Sequence, residues 1–159
     1  MEFAVNYSPH ADRLVERGAI DVDLFKCPEF PDLISDVRTR HRCYVHFRYR
    51  LGRRPFGEVD WDEADQMLET TATRYVNAHL APSVADFPGA TVESGDEAFR
   101  EQVVAAMKAD ARELVARYGR DRVVLENVMW DPDPPWQIPA AALAPEAIRE
   151  VVEDADCAF

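Results

Sequence analysis

A chain of 159 residues with 47% hydrophobic residues is long enough to bury a core as one domain and too ordinary in composition for a fibrous or disordered class. Its 30 Asp and Glu outnumber 18 Lys and Arg, and the formal charge of -12 argues against a nucleic-acid phosphate backbone or an anionic membrane as partner. No basic leader precedes an apolar N-terminal run, no stretch approaches the about 20 apolar residues of a spanning helix, and Cys27, Cys43 and Cys157 share no C-x-x-C spacing; these features point to a cytoplasmic chain with reduced thiols.

Residues 2–7 read as a short strand, after which Ser8 and Pro9 supply the cap and first turn of a helix running to about residue 17 and stopped by Gly18. Residues 19–25 alternate apolar and acidic side chains as a second strand does, with Lys26, Cys27 and Pro28 at its end. Residues 31–40 place Leu33, Ile34 and Val37 at helical spacing, with Arg38, Arg40 and His41 near the end of the helix that favours positive charge. A third strand follows over residues 43–47.

Residues 48–59 carry Arg48, Arg50, Arg53 and Arg54 with two glycines and a proline and read as a basic loop, and Asp60 caps a helix from Trp61 to near residue 72. Residues 74–80 form a fourth strand, and 81–94 a loop of the length that functional caps have. Over residues 96–118, Phe99, Val103, Met107, Ala111, Leu114 and Val115 line one side of a long helix that Gly119 ends. In residues 122–130, RVVLENVMW, the continuous run Val123, Val124, Leu125 reads as a strand buried on both faces that delivers Glu126 and Asn127 to its C-terminal end. The prolines of residues 131–139 make a semi-rigid loop, 145–153 a short helix, and 156–159 the start of a sixth strand. About five βα units plus that start give an α/β class with a parallel sheet, open or closed.

Three of these strands bring a ligand-type residue to their C-terminal ends: His46, His79 and Glu126. Loops leaving strand C-termini are where α/β folds bind ligands. Imidazole nitrogen and carboxylate oxygen suit zinc, manganese or iron, and three protein ligands leave a position open for water or substrate. Singly, each histidine reads as an ordinary strand-end residue; on successive strands with Glu126 they read as a metal site. Asn6 and Lys26, at the ends of strands one and two, can face the same mouth. His10 and His41 are assigned to helix surface, and Cys27 and Cys43 to small buried positions. The arginine loop either offsets the acidic surface or grips a phosphate or carboxylate. Trp130 and Trp136 either hold their loop down or stack a sugar.

His46, Tyr49, Leu51 and Gly52 reproduce a segment of the type H-x-x-Y followed by L-G, His79 ends the next strand, and Glu126-Asn127 ends the one after. In that order they resemble the xylose-isomerase-like barrels, which include AP endonucleases and sugar isomerases and epimerases. The resemblance implies a partial (β/α) TIM-type barrel forming a single, C-terminally incomplete domain over residues 1–159, since the family's later strands and ligands would lie beyond Phe159. It implies a divalent metal held by His46, His79 and Glu126, with Glu126 also acting as acid or base and Asn6, Lys26, Arg48, Tyr49 and Asn127 at the substrate. The function then expected is a metal-dependent isomerase or epimerase of a small carbohydrate or sugar phosphate. Phe47, Arg48 and Arg50 stand where the endonuclease branch has Asn and Ser, which weighs against phosphodiester hydrolysis. An iron-dependent oxidase on the same fold and an inactive fragment completed by a partner or a second copy are the remaining alternatives.

Overall fold

The computed structural model describes residues 2–53, 56, 59–128 and 137–159. The expected loop over residues 131–139, Arg54, Trp130 and Trp136 thus lie wholly or mainly outside the described residues. The chain forms two compact units, Met1–Arg48 with Asp60–Arg74, and Tyr49–Val59 with Tyr75–Phe159.

The first unit holds strands β1 (Ala4–Asn6), β2 (Leu24–Pro28) and β3 (Cys43–His46) and helices α1 (Pro9–Glu16), α2 (Pro31–Arg38) and α3 (Trp61–Thr70). Its sheet is parallel in the order β1-β2-β3. Phe25 pairs with Cys43 and Cys27 with Val45, so all four side chains share a face, and all are buried there with Ile34 and Val37 of α2, which packs on β2 and β3. The second strand begins at Leu24, later than the alternation over residues 19–25 suggested. Asp23 is held by its backbone N–H to Phe3 O and by its carboxylate to Phe3 N, and Ile20 stays exposed, so that alternation belongs to a connection.

His41, expected on a helix surface, is instead half-buried. Its ring meets Phe25 edge-on at 5.0 Å between centroids, and its Nε2 lies 2.7 Å from Asp12 Oδ1. Asp12 also accepts from Arg40 at 3.0 Å and from Tyr7 Oη at 3.2 Å. Burial pushes the Asp12 carboxyl up, but the His41 hydrogen bond and the Arg40 charge outweigh it, and the group is held below its ordinary value.

The second unit holds β4 (Tyr49–Leu51), β5 (Val76–Leu80), β6 (Val123–Glu126), α4 (Glu97–Tyr118), α5 (Ala140–Leu143) and α6 (Pro145–Ala155). Its parallel sheet runs β4-β5-β6. The strand expected at the end of the chain is a single parallel bridge, Val124 to Ala158, with Leu125 N–H donating to Ala158 O at 2.8 Å. Leu51, Val76, Ala78, Leu80, Val123 and Leu125 share one face and are fully buried; α4 packs on β4 and β6. Val124 is only half-buried, so β6 alternates instead of burying both faces as its apolar run suggested. Ion pairs of Arg100 and Lys108 with Glu150, and of Arg112 with Asp154, tie α4 to α6.

The barrel expectation is overturned: the six strands fall into two separate three-stranded sheets, not one run of five βα units. Two local causes are visible. At Arg48 the backbone N–H leaves the ladder for Glu29 Oε2 at 2.6 Å, which ends β3. The edge of β3 is occupied by residues 72–73, through Ala72 N–H to Cys43 O and Val45 N–H to Thr73 Oγ1. The next residues, read as the start of a basic loop, form β4 in the second sheet because Leu51 is fully buried and Arg50 nearly so.

Two predictions follow from this packing. Gly52 has φ +80°, and a Cβ there would lie 2.9 Å from both Met107 Cγ and Pro82 Cβ. Gly52→Ala should therefore lower unfolding free energy by about 2–4 kcal/mol in urea titrations, since strain and overpacking add; an unchanged midpoint would refute it. Because the folded Asp12 is depressed, its stabilisation is full above the unfolded value near about 4 and lost as pH falls through the folded one. Asp12→Asn should cost about 1–3 kcal/mol at neutral pH, with the gap to wild type closing in acid.

Candidate metal centre

Register fixes the site in the second unit. Arg50 pairs with His79, and His79 with Glu126, so a guanidinium, an imidazole and a carboxylate stand side by side on the sheet face opposite the fully buried one. The strand spacing of about 4.8 Å sets the pitch of that row. All three sit at or near the C-terminal ends of their strands.

His79 is oriented before any ligand arrives. Its Nδ1 is 3.2 Å from Tyr49 O. A carbonyl only accepts, so Nδ1 is the donor of this pair and the ring is turned with Nε2 away from that carbonyl. That Nε2 lies 3.5 Å from Glu126 Oε2. A backbone carbonyl behind the imidazole and a carboxylate in front of it are the surroundings that metal-binding histidines have. Both side chains are within reach of solvent, His79 less than Glu126.

Arg50 is 8% exposed, its Nε donating to Ala81 O at 3.0 Å. Burial, aided by the nearby charge of Arg53 and opposed by Asp86, pushes its guanidinium down to about 10. Gly52, two residues on, donates its N–H to the buried Asp110 carboxylate at 2.7 Å, which locks the turn out of β4. Asp86 Oδ2 is buried without a hydrogen-bond partner. Tyr49 pairs with Ala78, so its side chain is on the other face from Arg50 and His79. Expected as a substrate contact, Tyr49 contributes its backbone oxygen. Asn77, on the same face as His79 and nearly buried, carries a polar group that the alternating pattern did not single out. Asn127 follows β6 and is exposed.

In the first unit His46 ends β3, half-buried, beside Pro28 in register. Asn6, Lys26 and Tyr44 form the neighbouring row on the same face, with Lys26 inside β2 and not at its end as expected. Tyr44 went unnoticed in the sequence because a tyrosine between a cysteine and a valine reads as core. Arg48 is engaged locally, its Nε 3.2 Å from Glu29 Oε1 and its guanidinium 4.7 Å above the Phe30 ring. Cys27 and Cys43 are buried, as expected.

Within the second unit His79 and Glu126 offer an imidazole nitrogen and a carboxylate oxygen 3.5 Å apart, a donor pair that suits a borderline divalent cation. Among the described residues no helix is long and apolar enough to cross a membrane. No protein-family model matches the chain, and no curated protein is significantly similar to it.

If the Tyr49 carbonyl presets His79, then His79→Gln, which keeps polarity and loses Nε2, should lower zinc affinity about 10- to 100-fold in competition with a chromogenic chelator, without a matching loss of thermal stability. Unchanged affinity would exclude His79 as a ligand.

Proposed function

We propose that the protein is a divalent-metal-dependent enzyme of the isomerase or epimerase type acting on a small carbohydrate or sugar phosphate, with His79 and Glu126 as metal ligands. The observation that carries this reading is the preset His79 ring, Nδ1–H on Tyr49 O and Nε2 toward Glu126. With Nδ1–H on a backbone carbonyl, the ring turns Nε2 toward the Glu126 carboxylate, the orientation a histidine and a carboxylate need to share one ion.

When bound, a divalent ion at such a site polarises a substrate carbonyl or acidifies a water. The residues supply the rest. His79, fixed by Tyr49 O, holds its position without reorganisation. Glu126 has two oxygens and a third of its side chain exposed, enough to hold the ion through one and accept through the other a proton from a substrate carbon beside the carbonyl. Asn77 and Asn127 offer neutral donors and acceptors for hydroxyl groups. The net charge of -12 fits a small uncharged or singly charged substrate better than a nucleic acid.

The test is metal content after purification without chelator, followed by a screen of aldose–ketose interconversion on metal-loaded protein. Near-stoichiometric metal is expected in the wild type and none in a His79→Ala, Glu126→Ala double variant. Glu126→Gln should reduce turnover at least about 100-fold. Metal-free wild type after reconstitution attempts with zinc, manganese and iron would overturn the proposal.

A further inference from the structure

The first unit carries a groove that the metal reading does not use. Helices α2 and α3 run side by side in the same direction: α2 leads into Cys43 at the start of β3, and Ala72, just past α3, donates its N–H to Cys43 O at 2.8 Å. They barely touch each other, because Ile34 and Val37 of α2 and Ala64 and Met67 of α3 are buried in the core, and a groove of about 280 Å³ stays open between them. Ile34 and Met67 form its floor, and the exposed side chains of Ser35 and Gln66 stand along its walls.

The charges of the groove are sorted by end. Asp32 and Glu63, in the first turns of α2 and α3, line one end, and Arg38, the last residue of α2, lines the other. Among the described residues, the side chains of these three make no ion pair or hydrogen bond; the one electrostatic influence they exert is that of Arg38 on the buried Cys43 thiol. Asp32 and Arg38 are too far apart on α2 for the (i, i+3) and (i, i+4) pairs of helices, and Asp36, the other carboxylate of α2, is taken by Arg40 at 3.0 Å. From Asp32 to Arg38 the helix rises about 9 Å.

A ligand complementary to this groove carries an ammonium at one end, a carboxylate at the other and an apolar middle over Ile34 and Met67. A tripeptide with free ends has that shape, since three extended residues span about 10 Å. Its peptide groups then meet the Ser35 hydroxyl and the Gln66 amide, which offer both donors and acceptors. The helix dipoles run against both poles, but at exposed ends they are screened, and hydrogen bonds between full charges outweigh them.

We propose that the groove between α2 and α3 binds a short peptide with free termini, about three residues long, its ammonium on Asp32 and Glu63 and its carboxylate in the fork of Arg38. All the residues involved belong to the first unit, so the site stands whether or not His79 and Glu126 hold an ion.

The experiment is calorimetric titration of the whole chain with the peptide Ala-Leu-Ala, its N-acetylated form, its C-amidated form and an ω-amino fatty acid of the same length. Free Ala-Leu-Ala should bind, with affinity lower by about threefold or more for each of the other three. Arg38→Gln should abolish discrimination against the amide and keep that against the acetylated form, and Asp32→Asn with Glu63→Gln should do the reverse. All three positions are exposed, so the variants should keep the thermal stability of the wild type. No binding of Ala-Leu-Ala to folded wild type, equal affinity for free and blocked peptides, discrimination that survives the substitutions, or an ω-amino fatty acid that binds as well as the peptide would overturn the inference.

Discussion

The parallel register of β4, β5 and β6 is the constraint on which the second unit depends. Pairing Arg50 with His79 and His79 with Glu126 puts three chemically different groups in one row, and the same register puts Leu51, Ala78 and Leu125 together on the opposite face. Because the side-chain period of a strand is two, a slip of one residue in β5 would send His79 into the apolar face and a buried alanine into the row. The fully buried apolar face therefore polices the polar one. Hydrophobic burial supplies the free energy, and the position of the candidate ligands follows from it.

Around that row the structure spends polar interactions on orientation. Tyr49 O fixes the His79 ring, Ala81 O fixes the Arg50 plane, and Asp110 on α4 holds the Gly52 amide. Each uses a backbone group or a buried side chain, so each is shielded from competition with water. The first unit shows the same habit at Asp12, which gathers Tyr7, Arg40 and His41 around one carboxylate. There the partners are all accounted for, and the cluster reads as a brace between α1 and the entry to β3.

Local chemistry wrote much of the fold into the chain. Ser8, Asp60 and Asp96 cap α1, α3 and α4 with side-chain oxygens 3.0–3.1 Å from the third amide on, as their residue types suggest. Gly119 closes α4 at positive φ. Helix spacing and strand cores were legible because period and burial coincide. Residues 49–51 were not legible, since a strand of three residues with arginine at its centre carries no periodic signal, and nothing local says that Leu51 is buried. His41 was misplaced for a related reason: a histidine after two arginines looks solvated until Asp12, 29 residues away in sequence, is seen beside it.

Sequence alone determined the α/β alternation, the caps, and the presence of two histidines and a glutamate at strand ends, because these depend on neighbours within a few residues. Only the tertiary structure decided that the strands divide into two sheets, that Tyr49 serves through its carbonyl, and that Arg50 stands beside His79. Sheet membership is a contest between distant segments for the same edge, settled here by the Glu29 carboxylate taking the Arg48 amide and by Thr73 taking the Val45 amide. Local sequence pattern carries no term for such long-range competition, whereas the folded chain must satisfy every buried amide at once.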